Sequence, residues 1–194
     1  MNKNLFAALL GLLLLSPVLA RAEGLYVKVG ASHTRADVDS LGEGTTTGAA
    51  LAIGMPLDET FDAELGYLYF GSSDPVTVIG GERTESSVKS QGFYLAGLAK
   101  LPLSESFSVY GKLGAVYAKT DWSGRDIDIA SGVTTATFDG SQKRFAPLAG
   151  IGVSYRFSEQ ISAMIDYTYV HDLVVEGEDH AKLDLITASL KYSF

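Results

Sequence analysis

The chain contains no cysteine, which excludes disulfide frameworks, CxxC redox centres, thiolate zinc sites and a cysteine nucleophile. Its three histidines, His33, His171 and His180, stand at no metal-ligand spacing. Basic side chains are outnumbered 15 to 23, giving a net charge of -8 over 194 residues, so no nucleic-acid partner is expected. Beyond the first segment there is no apolar run of about eighteen residues, so any membrane span must be made by strands rather than helices. What remains is 46% hydrophobic, with 21 glycines, 10 tyrosines and 9 phenylalanines. That is too apolar and aromatic for a disordered chain.

The N-terminus reads as a targeting signal. Lys3 gives a basic start, Leu5 to Leu15 is an apolar or small-residue run, and Ala20-Arg21-Ala22 offers small residues for a signal peptidase. Residues 1–22 are predicted to be a secretory signal peptide and residues 23–194 the mature domain. Lys3 and Arg21 are the only charges in that leader, so the remainder carries -10 against -8 for the whole chain.

From Gly24 onward apolar residues recur at every second position, the period of a strand with one oily and one polar face. Eight strands are predicted, over about 25–32, 48–55, 61–70, 92–101, 107–119, 145–157, 161–170 and 183–194. Leu25, Val27, Val29 and Ala31 form the oily row of the first, and Phe61, Ala63, Leu65, Tyr67 and Tyr69 that of the third. Phe93, Leu95, Gly97, Ala99 and Leu101 form that of the fourth, where Lys100 decides the facing because Tyr94, Ala96 and Leu98 opposite are also apolar. Three connections are short and alike, each a polar stretch holding one Glu: Leu57 to Thr60, Leu103 to Ser106 and Ser158 to Gln160. Between them lie long polar stretches, Thr34 to Thr47, Gly71 to Gln91, Thr120 to Arg144 and His171 to Lys182, read as loops. Alternating short and long connections describe an up-and-down antiparallel order with both chain ends on the short-turn side.

A soluble sheet would also alternate, so the positions of the aromatic and charged residues decide which solvent the oily face meets. With the oily rows outward, Phe61, Phe107, Tyr155, Phe157, Tyr192 and Phe194 fall at the short-turn rim, while Tyr67, Tyr69, Tyr117, Tyr167 and Tyr169 fall near the long-loop rim. Two such girdles, roughly 20 Å apart, match the apolar band of about 25 Å of a membrane barrel. The opposite rows carry Lys28, Asp62, Glu64, Lys100, Lys112, Arg156, Asp166 and Lys191 among small residues, a poor soluble core but a workable interior for an eight-stranded barrel. Lys28, Asp62, Glu64, Lys112, Arg156 and Asp166 are the expected lumen charge network. Lys28, Glu64, Lys112 and Asp166 are placed at similar depths, as a plug of ion pairs or the lining of a narrow water path, and the small bore favours the plug. The fold expected is thus all-β: a closed eight-stranded antiparallel up-and-down transmembrane β-barrel, with short turns on one side and long loops on the other.

The closing Leu190-Lys191-Tyr192-Ser193-Phe194, together with Ala63-Glu64-Leu65-Gly66-Tyr67, Tyr110-Gly111-Lys112-Leu113-Gly114 and Gly150-Ile151-Gly152-Val153-Ser154-Tyr155, resembles the eight-stranded outer-membrane β-barrel family of Gram-negative bacteria. That family includes the barrel of outer-membrane protein A and the Ail-type and opacity-type surface proteins. The resemblance implies an outer-membrane location with periplasmic short turns and extracellular long loops, and contact with outer-membrane lipid and lipopolysaccharide. It also implies recognition of Leu190, Tyr192 and Phe194 by the barrel-assembly machinery. A monomer is expected, with no cofactor. The role implied is structural or surface-interacting, adhesin-like or envelope-stabilising, through the acidic loops and a host or cell-surface ligand. A narrow porin is the alternative.

A lipid A-modifying enzyme is the third reading, and the residues argue against it. The nearest match to the His-x-Ser pair of such enzymes is His171-Asp172-Leu173, where Leu173 takes the place of the nucleophile, so His171 has no hydroxyl to activate. No catalytic or metal residue is therefore assigned. Asp121, Asp126 and Asp128, like Glu176, Glu178 and Asp179, could attract divalent cations, but Asp126-Ile127-Asp128 lacks the glycine and distant glutamate of a calcium loop, and a solvated loop is the simpler expectation.

Overall fold

The computed structural model describes residues 24–38, 42–73, 76–79, 82–174 and 180–194. The leader over 1–22 and the acids Glu176, Glu178 and Asp179 lie outside the described residues. Period-two alternation becomes nine strands: β1 Tyr26–Val38, β2 Gly42–Pro56, β3 Phe61–Ser73, β4 Val76–Ile79, β5 Glu82–Pro102, β6 Phe107–Asp128, β7 Thr134–Arg156, β8 Ile161–Val174 and β9 His180–Ser193. Each pairs antiparallel with its neighbour in sequence, except that β3 pairs with β5 and β1 with β9. Those two pairings close an eight-stranded barrel and leave β4 as a short extra strand hydrogen-bonded to β5 alone. Closure leaves no unpaired edge within the band of strands that a bilayer would cover.

The predicted faces are the observed ones. On the inner side Tyr26, Lys28, Ala50, Ala52, Asp62, Glu64, Leu68, Tyr94, Leu98, Lys112 and Asp166 are buried, while Leu65, Leu95, Leu113, Ile151 and Leu190 on the outer side are more than half exposed. Strand β5 faces as Lys100 indicated, with Phe93, Leu95 and Leu101 outward.

The three short turns share one device. In each, a backbone bond joins the residue after the outgoing strand to the start of the next: Leu57 N–H to Phe61 O at 2.8 Å, Leu103 to Phe107 at 2.9 Å and Phe157 to Ile161 at 2.9 Å. A side-chain oxygen then accepts the amide that opens the next strand: Asp58 from Phe61 (2.7 Å), Ser104 from Phe107 (3.0 Å) and Ser158 from Ile161 (3.1 Å). Asp and Ser suit this position because a short polar side chain mimics a backbone turn. The glutamate that follows each of them is exposed.

The long connections differ from the expectation of irregular loops. β6 and β7 stay paired from Phe107 with Tyr155 out to Ile127 with Thr134, and β5 follows β6 as far as Glu82 with Asp128. The 22 residues of β6 correspond to roughly 73 Å of strand, about 55 Å along the axis at the usual tilt, twice the apolar band. A sheet of β4, β5, β6 and β7 therefore stands above the membrane. Its Ser, Thr, Gly and charged residues read as loop because both faces are solvated, which removes the oily-polar alternation without removing the ladder hydrogen bonds.

Candidate functional site

The barrel interior is built from pairs of tyrosine and glycine. Tyr26 stands opposite Gly54, Tyr94 opposite Gly66 and Tyr110 opposite Gly152. A Cβ at any of these glycines would lie within 2.1 to 2.4 Å of the facing ring. Each ring thus lies flat over bare backbone, which aims its hydroxyl along the wall at a carboxylate.

Two clusters result. Glu64 Oε1 accepts from Lys28 Nζ at 2.7 Å and from the Tyr94 hydroxyl at 2.5 Å, and Glu64 Oε2 accepts from Tyr26 at 3.2 Å. Asp166 accepts from Tyr110 at 3.0 Å, from Thr168 at 3.1 Å and from Lys112 Nζ at 3.5 Å. Lys112 also sits 5.5 Å from the centroid of the Tyr94 ring, which joins the clusters. These side chains are 0 to 5% exposed, so the donors stand in for the water that burial removes. Lys28, Glu64, Lys112 and Asp166, the four residues read as one layer, are therefore brought together as two bonded halves. Asp62 lies nearer the short-turn rim and pairs with Lys100 at 2.5 Å. The Arg156 side chain is exposed at that rim, away from both clusters, because the strand ends there. Above the charges the lumen is filled by the buried side chains of Leu68, Phe70, Val116, Leu148, Val170, Leu183 and Leu185, together with the buried hydroxyls of Ser32, Thr34, Thr120 and Thr187.

On the outer face aromatic side chains gather towards both ends of the strands. Phe61, Phe107, Tyr155 and Tyr192 are exposed at one rim, with Tyr155 against Phe157 and Tyr192 against Phe194, each pair at 5.1 Å. Leu190 also faces outward. At the other rim Tyr67 packs on Phe93 at 5.3 Å and Tyr117 on Phe145 at 4.7 Å. Phe93 and Phe145 share the outward parity of their strands, the signal that places them in this girdle. Tyr167 donates to Asp184, and Tyr169 contacts His171 Nδ1 at 3.0 Å.

In the projecting sheet the acidic residues are engaged locally. Asp121 pairs with Lys119 at 2.5 Å, Asp126 accepts from Thr84 at 2.7 Å, and Arg125 holds Glu85 through two bonds of 2.9 and 2.7 Å. The guanidinium of Arg125 keeps the Glu85 carboxyl below its ordinary pKa. Asp128 closes the tip, accepting from the Ser131 amide and hydroxyl, both at 2.7 Å, and these bonds lower its pKa. Trp122 opposes Gly140 and Phe138 opposes Gly124, with each ring filling the glycine's Cβ space. On the outer face a cleft of about 440 Å³ is lined by Val76, Glu85, Ser87, Ser123, Arg125 and Thr137 among others.

A closed barrel with a filled, charged interior, an oily exterior and two aromatic rims is a transmembrane barrel of the outer-membrane type. The chain belongs to the outer membrane protein beta-barrel domain family, whose model matches residues 5–194, and this is a family of Gram-negative outer-membrane proteins. Among solved structures it is similar to neisserial surface protein A, with 14% identity, a TM-score of 0.64 and coverage of 89% of this chain and 98% of that one. It is similar to Ail of Yersinia pestis, with 14% identity, a TM-score of 0.58 and coverage of 89% and 99%. It is also similar to OprG of Pseudomonas aeruginosa, with 14% identity, a TM-score of 0.56 and coverage of 89% and 96%. These likenesses show the fold. No curated protein matches the sequence.

Proposed function

We propose that this protein is a plugged outer-membrane barrel with a surface-interaction or envelope-stabilising role, and that its working surface is the sheet of β4, β5, β6 and β7 above the membrane. The observation that carries this reading is the bonded lumen: Lys28 with Glu64 and Lys112 with Asp166, closed by three tyrosine hydroxyls and roofed by buried aliphatic residues. A water path would need these side chains to part, leaving charges without partners in a narrow bore. Rigid strands carrying the polar surface outward suit recognition, since binding residues sit best on an ordered scaffold. Ail has been crystallised with the heparin analogue sucrose octasulfate. The net charge of this chain, -8, would repel such polyanions at long range, which favours neutral or basic partners for the outer sheet.

Barrel assembly through Leu190, Tyr192 and Phe194 belongs to the same reading. They end the strand that closes on β1, where the Phe194 amide donates to Leu25 O at 2.9 Å. A lipid-modifying activity finds no support around His171, whose Nδ1 meets the Tyr169 hydroxyl and whose sequence neighbour Leu173 has no nucleophile. Planar-bilayer recording tests the proposal. The wild-type protein should show no steady conductance; steady open channels would make it a narrow porin.

A further inference from the structure

The charges that close the lumen on the short-turn side do not balance. There the cations Lys28, Lys100, Lys112, Arg156 and Lys191 meet the carboxylates Asp62, Glu64 and Asp166. Each carboxylate already has its partner: Glu64 holds Lys28 at 2.7 Å, Asp62 holds Lys100 at 2.5 Å and Asp166 holds Lys112 at 3.5 Å. Arg156 and Lys191 are left over, and neither makes an ion pair among the described residues. A chain of net charge -8 thus keeps two uncompensated cations at one opening of its barrel.

Register brings them together. Arg156 on β7 stands opposite Ser162 on β8, Ser162 opposite Lys191 on β9, and Lys191 opposite Lys28 on β1. Neighbouring strands are about 4.8 Å apart, so the backbones of Arg156 and Lys191 are separated by about 10 Å, a gap that two long side chains span over the small Ser162. Their charges lie within electrostatic reach of each other. Both are held in place without being neutralised. The Arg156 amide donates to Ser106 O at 2.8 Å, which fixes the strand end while the side chain stays exposed at the opening. The Lys191 ammonium rests 4.8 Å from the centroid of the Tyr26 ring, a contact that positions a cation and leaves its charge. One row therefore offers a guanidinium, a hydroxyl and an ammonium as donors.

The bonded pair of Lys28 and Glu64 fills the bore above this row, so what reaches it must be compact and must enter from the short-turn side, the periplasmic side of such barrels. Around the opening the turns carry Asp58, Glu59, Glu105 and Glu159, all exposed. These acids repel a polyanion lying across the rim, whereas a small ion passes between them, screened beyond about 8 Å at physiological salt. A tetrahedral oxyanion turns a separate oxygen to each of three donors on neighbouring strands, where a carboxylate has only two oxygens to share.

We infer that Arg156, Ser162 and Lys191 form a binding site for a small phosphate-type oxyanion at the short-turn opening of the barrel. The site lies on the lumen side, apart from the outer sheet and from the lipid-facing wall.

The test uses the full-length barrel in dodecyl maltoside micelles, which carry no phosphate, titrated with inorganic phosphate at an ionic strength held constant with chloride. Nitrogen NMR follows Arg156 Nε and the Ser162 amide. Both should shift saturably in wild type, while Arg125 in the outer sheet should not move. R156Q and K191Q should each weaken phosphate binding by about tenfold, the loss of one charge-assisted hydrogen bond, read at the Ser162 amide. A gel shift between unboiled and boiled samples verifies that each variant is a closed barrel, and either variant alone provides the reading if the other does not close. Shifts that do not saturate, or equal affinity in wild type and closed-barrel variants, overturn the proposal. So does tighter binding of polyglutamate than of phosphate, because the turn acids would then exclude nothing.

Discussion

Tyr94 stands directly opposite Gly66 on the neighbouring strand, and its ring passes 2.4 Å from where a Cβ on residue 66 would sit. Glycine at 66 is therefore the condition for the Tyr94 hydroxyl to reach Glu64 at 2.5 Å. Flat rings over bare backbone recur at Tyr26 with Gly54 and Tyr110 with Gly152, which makes the motif the organising unit of the lumen.

Gly66→Ala should displace the ring and take the hydroxyl from Glu64. The expected cost is about 1 to 3 kcal/mol, the usual penalty for overpacking a filled interior. Urea titration of the folded protein in vesicles, followed by tyrosine fluorescence, measures it. An unchanged midpoint would mean that the ring can move aside without losing its partner.

Glu64→Gln removes a carboxylate that is 0% exposed and leaves the Lys28 ammonium, 2% exposed, without its counter-ion. A loss of about 3 to 5 kcal/mol is expected for breaking a buried pair from one side. The double variant K28M/E64Q should recover most of it, because no charge is then stranded. Conductance should stay at the wild-type level throughout. Recovery separates a stranded charge from lost packing, since packing losses would add.

The strand faces were legible in the sequence because parity is robust: side chains of β1, β3 and β8 within the barrel wall face outward or into the lumen by count alone, and the count misleads only where a strand ends, as at Arg156, whose parity is inward but whose side chain is exposed. Depth gave Lys28, Glu64, Lys112 and Asp166 a common layer, but not which cation meets which carboxylate, because partners on β1 and β3 or on β6 and β8 meet across the shear of the barrel rather than by rung. The tyrosines Tyr26, Tyr94 and Tyr110 were countable as inward residues, yet their role appears only once register sets each beside a glycine. The projecting sheet was hidden for a different reason. Thr120 to Arg144 has the composition of a loop, and a strand wet on both faces leaves no amphipathic trace.

The tip of β6 and β7 should respond to acid. Ser131 donates to Asp128 through both its amide and its hydroxyl and so holds the carboxyl below its ordinary pKa. A depressed pKa stabilises the turn above the ordinary carboxylate range, and that stabilisation is lost as pH falls through the lowered value. Amide exchange at Ser131 and Val133 should therefore quicken only at strongly acidic pH. In Asp128→Asn the rates should lose this pH dependence. Wild-type exchange with no rise on acidification beyond that of a free peptide would sever the carboxyl from the turn.

The projecting sheet is the feature most open to a direct challenge, because a protease distinguishes a strand from a loop. Arg125 and Lys143 lie on ladders paired through Ile127 and Thr134, and a paired strand cannot enter a protease cleft without first unzipping. Trypsin added to the outside of vesicles should leave the bonds after both residues intact under conditions that cut a flexible segment. Gly140→Val removes the reason for that protection locally: its side chain would meet the Trp122 indole, now 2.6 Å from the Cβ position, and a displaced Trp122 uncovers the ladder on either side. Cleavage after Lys143 should then appear while the boiled and unboiled migration of the barrel stays distinct. If wild type were cut at Arg125 as fast as the variant is at Lys143, the outer half of β6 would be a loop in solution, and the binding surface proposed for it would lose its scaffold.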